Sequence, residues 1–362
     1  MATFKKICLV GFDRQVGSFA LGLKRTGFTG PIVGVADDQT INKCWKLGMI
    51  NDGFQKLDDA LPGANLIMLS SVSSHVEGML PKVLEWADDN AVISEMTRVK
   101  GDVNRVFEES GRDDIHYVGF RLIGDVVDGG DYTKSDKFFF ENKSIILTPR
   151  DKRDLNAFSL LQEVMKKMGA DVIAMSPQSH DRLLAQIHHV PKTAVMAVLQ
   201  RLFGGADQNV VTPAMMGDWL AGETRDLMQS RSMGWVAEVE ANRELVIEGI
   251  DELIMRLQSL KEEISRGNLS SQLEALVEKT PEILKEPETP KGVDLVLSAG
   301  ADPKNLERVS EIMAKAHIKM GSLDRMEHAA PGTYRLTLSN RPDAERTLSL
   351  LRGAGFDVVD LA

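Results

Sequence analysis

The residues best suited to chemistry lie near the start of the chain. Gly11-Phe-Asp-Arg-Gln-Val-Gly17 follows a continuous apolar run, Ile7-Cys8-Leu9-Val10, and leads into a helical pattern. A glycine-rich turn between a first strand and a first helix is where a dinucleotide pyrophosphate is held by backbone N–H groups. Gly11 fills the tight-turn position, Asp13 stands where a second glycine would let the backbone approach the phosphates, and Val16, followed by Gly17, stands at the third. Asp37 and Asp38 follow the second apolar run at the distance expected for a contact to an adenosine ribose. Asp13 adds negative charge at the pyrophosphate position. One charge pair at ~4 Å and an effective dielectric of ~20 costs about 4 kcal/mol, a loss of several hundred-fold or more in affinity. Arg14 is placed to offset part of it. Two readings stand: a dinucleotide site with a damaged phosphate contact, or a doubly wound domain that keeps its fold without holding a dinucleotide.

Other reactive side chains are sparse. His180, His188 and His189 could be drawn as a metal site, but no carboxylate spacing completes it, and on a regular helix only one of His188 and His189 can face a pocket. No metal is expected. The two cysteines, Cys8 and Cys44, cannot build a disulfide framework or a four-cysteine zinc site. That usage, with no signal-peptide pattern, suggests a cytoplasmic protein in a reducing compartment.

These residues need a scaffold. The chain has 362 residues, with 43 Lys plus Arg against 53 Asp plus Glu, a formal charge of −10. Such an acidic chain is a poor general nucleic-acid binder, and its apolar runs are too short for a membrane span. Candidate strands at Ile32–Val35, Leu66–Leu69, Val92–Ser94, Tyr117–Phe120, Ser144–Thr148 and Val172–Ala174 alternate with helical patterns such as Gly17 to Arg25, Ile41 to Leu47 and His75 to Trp86. Fully apolar strands alternating with helices predict a mostly parallel sheet covered on both faces. This gives a Rossmann-like α/β domain over residues 1–177.

Residues 178–280 read as all-helical. One apolar stripe is Leu183, Ile187, Val190, Ala194 and Val198; another is Leu245, Ile247, Ile250, Leu253, Ile254 and Leu257. An intramolecular bundle or an obligate dimer interface would cover them. Residues 281–291 are a proline- and charge-rich linker. Residues 292–362 show a βαββαβ order, the ferredoxin-like arrangement.

Several segments in order resemble the prephenate and arogenate dehydrogenase family of tyrosine biosynthesis. They are Val10 to Ser18, Ile93 to Lys100 (the family's Thr-Asp-x-x-Ser-Val-Lys), Tyr117 to Gly124 (Val-Gly-Gly-His-Pro-Met-x-Gly), and Phe140 to Pro149. Ser179 to Pro191 is similar to the helix with His-Asp and Ser-His-Leu-Pro, and Thr224-Arg225 with Trp235 through Glu244 resembles the substrate-domain helices. The resemblance implies a nucleotide-binding domain, an all-α dimerisation domain and, at the C-terminus, an ACT-like domain. In that last unit Lys304 stands where such domains usually carry glycine.

The implied reaction is an NAD- or NADP-dependent oxidative decarboxylation of a prephenate-like anion by a homodimer. The resemblance places Gly11, Asp13, Arg14, Val16, Gly17, Asp37, Ser70 and Ser71 at the cofactor. It places Arg121 at the position of the family's catalytic histidine and Arg98 at that of the nearby serine. His189, Lys192 and Arg225 fall at substrate-holding positions. An arginine offers no acceptor and does not deprotonate, so Arg121 cannot take the substrate's hydroxyl proton. Salt bridges of Arg98 and Arg121 to Glu95 or Asp125 would leave them structural; without those, a concentrated positive pocket would grip an anion. Three functions remain: a dehydrogenase with a shifted proton acceptor, an inactive member that binds a small anionic metabolite as sensor or regulator, and an enzyme acting on a different anion.

Overall fold

The computed structural model describes residues 4–70, 76–97, 99–123, 130–203, 217–230, 234–279, 293–300, 302–316, 318, 320–326, 329–338 and 341–360. Eight strands form the first sheet: β1 (Ile7–Val10), β2 (Ile32–Val35), β3 (Asp52–Phe54), β4 (Leu66–Leu69), β5 (Val92–Glu95), β6 (His116–Leu122), β7 (Ser144–Pro149) and β8 (Asp171–Ala174). Their order is β3-β2-β1-β4-β5-β6-β7-β8, and every pairing is parallel except β6 with β7.

The helices α1 (Arg14–Arg25), α2 (Asp38–Lys46), α3 (Leu57–Ala60), α4 (Val76–Trp86), α5 (Gly101–Ser110) and α6 (Leu155–Lys167) cover the sheet. Alternation along β1 sends Ile7 and Leu9 into one core, with Phe19 of α1 and Leu161 of α6, and Cys8 and Val10 into the other, with Leu80 of α4 and Phe107 of α5. Continuous apolar strands are therefore required. The strand β3 was not expected. Its sequence, Asp-Gly-Phe, is a short polar edge with no apolar run to signal it.

The helical part comprises α7 (Pro177–Leu184), a π-helical turn at Ala185–His189, α8 (Val190–Phe203), α9 (Gly217–Ser230), α10 (Trp235–Ala241), α11 (Arg243–Arg266) and α12 (Leu269–Lys279). The wider π turn rotates the chain, and the expected stripe does not form. Ile187 is 65% exposed and Val198 46%, whereas Leu184, Ala185, His189 and Val190 are buried. On α11, Val246 packs with Ala185 and Val190, and Ile250 and Leu253 join them; Ile247, Ile254 and Leu257 face outward. The linker lies outside the described residues.

The C-terminal unit is β9 (Val293–Ser298), α13 (Pro303–Lys315), β10 (Met320–Arg325), β11 (Thr333–Leu338), α14 (Arg341–Gly353) and β12 (Asp357–Asp360). Its sheet runs β10-β11-β9-β12, antiparallel throughout, over a core that includes Leu295, Leu297, Val309 and Leu351. On the sheet's other side, Val296 and Met326 bury Phe138 of the first unit. Phe138 belongs to a connection that packs on α1: Asp136 N–H donates to Ser18 Oγ at 3.0 Å, and a Cβ on Gly17 would fall 2.2 Å from Ser135 Oγ.

Candidate active site

The strand order reverses at β1, between β2 and β4, and the crevice at the carboxyl ends of these strands is where such sheets bind ligands. Gly11, Asp13, Asp37 and Ser70 meet there. Gly11 has φ +75°, and a Cβ on it would lie 2.7 Å from Ser70 Oγ, so the turn needs glycine on both counts. Asp13 is the N-cap of α1. It is fully buried, and its Oδ1 accepts from Val16 N–H at 2.8 Å. Its carboxylate thus occupies part of the helix N-terminus that a pyrophosphate would use.

Val16 is a core residue, and Gly17 makes room for the Ser135 connection. The Arg14 guanidinium lies over the Phe139 ring at 5.1 Å. Asp37 is exposed and caps α2, accepting from Thr40 N–H and Oγ1, which holds its pKa below the usual carboxylate value. The turn and the ribose position suit a dinucleotide. The pyrophosphate seat, shared with Asp13, does not. Ser71 and Arg98 lie outside the described residues, as does Asp125.

Lys100, the last residue of the Ile93–Lys100 segment, is not among the candidate site residues that the sequence offers. It is wholly buried, and Nζ donates to Glu95 Oε1 at 2.7 Å, Thr97 O at 2.6 Å and Phe120 O at 2.9 Å. All three ammonium donors are used. Tyr117 OH also donates to Glu95 Oε1, at 2.7 Å, and Thr97 donates through N–H and Oγ1 to Oε2. Burial pulls the Lys100 pKa down, opposed by Glu95, and pushes the Tyr117 phenol well above its usual value. Glu95 is therefore the counter-ion of Lys100. Arg121 sits half-buried on β6, paired in the ladder with Ile146, and its charge depresses both Lys100 and His180.

Asp181 of α7 ties the helical part to the sheet. Its carboxylate accepts from Lys100 N–H at 2.9 Å and Gly101 N–H at 2.7 Å, capping α5 from another element. His180 Nδ1 lies 2.8 Å from Asp181 Oδ1, and the Asn242 amide donates to Asp181 O at 2.8 Å. Burial lowers the His180 pKa, with Asp181 opposing and the Lys100 and Arg121 charges adding.

His189, fully buried, follows in the π turn. Its Nδ1 is 3.4 Å from Asn242 Nδ2 and its Nε2 is 3.9 Å from Glu238 Oε2. The amide nitrogen donates to Nδ1, which leaves the ring proton on Nε2, towards Glu238. The expectation that only one adjacent histidine could face inward does not hold. Ligating atoms of His188, His189 and Glu238 all lie within 4.8 Å of one another, the two histidines in the π turn and the acid on α10. Lys192 pairs with Asp226 at 2.6 Å and sits over Trp235 at 6.0 Å, while Arg225 is on an exposed face of α9. His189 and Lys192 thus have carboxylate neighbours, Glu238 and Asp226, that spacing did not reveal.

Residues 19–174 match the family described as prephenate dehydrogenase, nucleotide-binding domain. A prephenate dehydrogenase of Bacillus subtilis is 23% identical over 261 residues, covering 70% of this chain and 69% of the relative. The crystal structure of prephenate dehydrogenase from A. aeolicus, in complex with hydroxyphenyl propionate and NAD+, is 26% identical with a TM-score of 0.66, covering 78% of this chain and 99% of that one. Synechocystis arogenate dehydrogenase shares the fold, with 19% identity, a TM-score of 0.64, and coverage of 77% of this chain and 100% of that one. Motif order, sheet order and these similarities agree: the chain carries a nucleotide-binding domain of the prephenate dehydrogenase family and resembles its members over most of its length.

Proposed function

We propose that this protein holds NAD or NADP weakly at the β1–β4 crevice and a small prephenate-like anion between Arg121 and the His189–Lys192 region. In this reading it performs the oxidative decarboxylation slowly or only in a residual form. The single observation that carries the reading is Arg121, which stands on β6 where the family resemblance puts the catalytic histidine. A guanidinium can donate to a carboxylate or hydroxyl of the anion, in bidentate fashion, but accepts no proton. Loss of such a base costs ~10²–10⁴ in rate. The cofactor, when bound, supplies a hydride acceptor; the chain's own residues orient the anion.

The division into 1–177, 178–280 and 292–362 is adopted with this function. So is a homodimer through the helical domain, supported by the outward apolar faces of α11 and α12, where Ile254, Leu257, Ile264, Leu273 and Leu276 are each at least 46% exposed. The C-terminal unit is read as ACT-like. Its first loop is closed by its own bonds, Lys304 N–H to Asp302 and Asn305 Nδ2 to Ala299 O, which favours subunit pairing over effector capture.

The test is NAD(P)H formation from prephenate and arogenate by wild type and Arg121→His. The variant is expected to be faster by ~10²–10⁴. A wild type as fast as the variant sinks the proposal. So does an Arg121→His/Asp13→Gly double variant that binds both ligands yet stays silent. A second reading, a metabolite-binding member without turnover or one acting on a different anion, is favoured by the Asp13 carboxylate seated at the α1 N-terminus.

A further inference from the structure

We propose that His188, His189 and Glu238 form a binding site for one divalent transition-metal ion of the zinc class. The inference does not depend on which anion the cleft takes. Three observations carry it. A ring nitrogen of each histidine and a Glu238 carboxylate oxygen lie within 4.8 Å of one another. The site is interior: His189 is fully buried, and His188 and Glu238 are half-buried. Both histidines lie in the π turn of residues 185–189, an interruption of the α-helix of the kind that is frequent at functional sites.

The distances suit a site that closes on its ion. Ligand atoms about 2.1 Å from a tetrahedral ion sit about 3.4 Å apart. The 3.9 Å between His189 Nε2 and Glu238 Oε2 is too wide for a hydrogen bond and close to that bridging separation. Two imidazoles and one carboxylate are the donor set of open zinc sites, which leave a fourth position for water or an oxygen of a bound ligand. A carboxylate oxygen of a bound anion would take that fourth position.

The second shell sets a condition. Metal on His189 Nε2 requires the ring proton on Nδ1, which needs an acceptor. Asn242 now faces Nδ1 with its amide nitrogen, so its amide must turn to present oxygen there, giving up its bond to Asp181 O. Asn242 is thus a positioning residue for the ion.

The experiment uses tag-free, chelator-stripped full-length protein titrated with Zn²⁺ by calorimetry and with Co²⁺ by visible absorption. The expected result is one ion per chain with a micromolar or tighter dissociation constant. The Co²⁺ bands should be those of nitrogen and oxygen ligands without thiolate charge transfer. His188→Ala and Glu238→Gln should each weaken binding at least ~100-fold, more than the 10–100-fold of an outer-shell loss, while His116→Asn leaves it unchanged. Glu238→Gln preserves shape, so a folded variant is available even if His188→Ala unfolds. Absence of stoichiometric binding overturns the proposal, as does binding that Glu238→Gln leaves intact, since the ion is then elsewhere.

Discussion

Replacing Asp13 by asparagine isolates the charge at the phosphate turn. Asparagine caps a helix about as well as aspartate, so the bond from Val16 N–H is kept. What changes is one negative charge at the amino end of α1. A phosphate oxygen ~4 Å from that carboxylate, at an effective dielectric of ~20, meets about 4 kcal/mol of repulsion. Against this, the helix terminus now stabilises Asp13 by about 0.3–2 kcal/mol, and that stabilisation is given up on substitution without affecting the ligand's own contact. Counter-ions and Arg14 reduce the repulsion further, so about 2–4 kcal/mol should appear in binding, or roughly 30- to 1000-fold in affinity. The assay is calorimetric titration of nucleotide-stripped wild type, Asp13→Asn and Asp13→Gly with NAD and NADP. Asparagine should recover most of what glycine recovers, because charge dominates over the space a Cβ takes. Low-micromolar binding by the wild type, or equal affinities across the three proteins, would refute the reasoning.

Two further outcomes follow from the junction between sheet and helices. Asp181→Ala leaves two buried amides at the start of α5 without their acceptor, so urea unfolding should show a loss of about 2–4 kcal/mol, with Asp181→Asn losing less. His180 has a folded pKa below its unfolded value of about 6.5, so the unfolded chain binds the proton first on acidification. Its contribution is present above that value and is lost as pH falls below it towards the folded pKa. Melting temperature across mildly acidic pH should therefore drop less steeply in His180→Asn than in wild type.

The doubly wound half was legible because parallel strands covered on both faces must be apolar at every position, and Ile7–Val10, Ile32–Val35 and Leu66–Leu69 are. The β3 edge was not, since Asp52 and Gly53 carry no such signal. The βαββαβ order at the C-terminus was readable from alternating short runs. Helical periodicity misled at Ile187 and Val198, because a period of 3.6 assumes a regular helix and the π turn breaks it. At the site, the phosphate turn was visible as spacing, yet the capping role of Asp13 came from geometry. Glu238, Asp226 and the buried Lys100–Glu95 pair meet their partners only through folding, and no local spacing announces such contacts.

The burial of Phe138 bears on how the chain can be cut. A truncation ending near residue 280 would strip Val296 and Met326 from that ring and expose it to water beside the Arg25 and Lys137 cations, at 4.7 and 5.1 Å. The same connection holds Ser135 and Asp136 against α1, beside the phosphate turn. Shortened chains would thus differ from the full protein in solubility and in nucleotide affinity together. A change in ligand response after removing the C-terminal unit would then report on an uncovered aromatic plug as much as on a lost sensor.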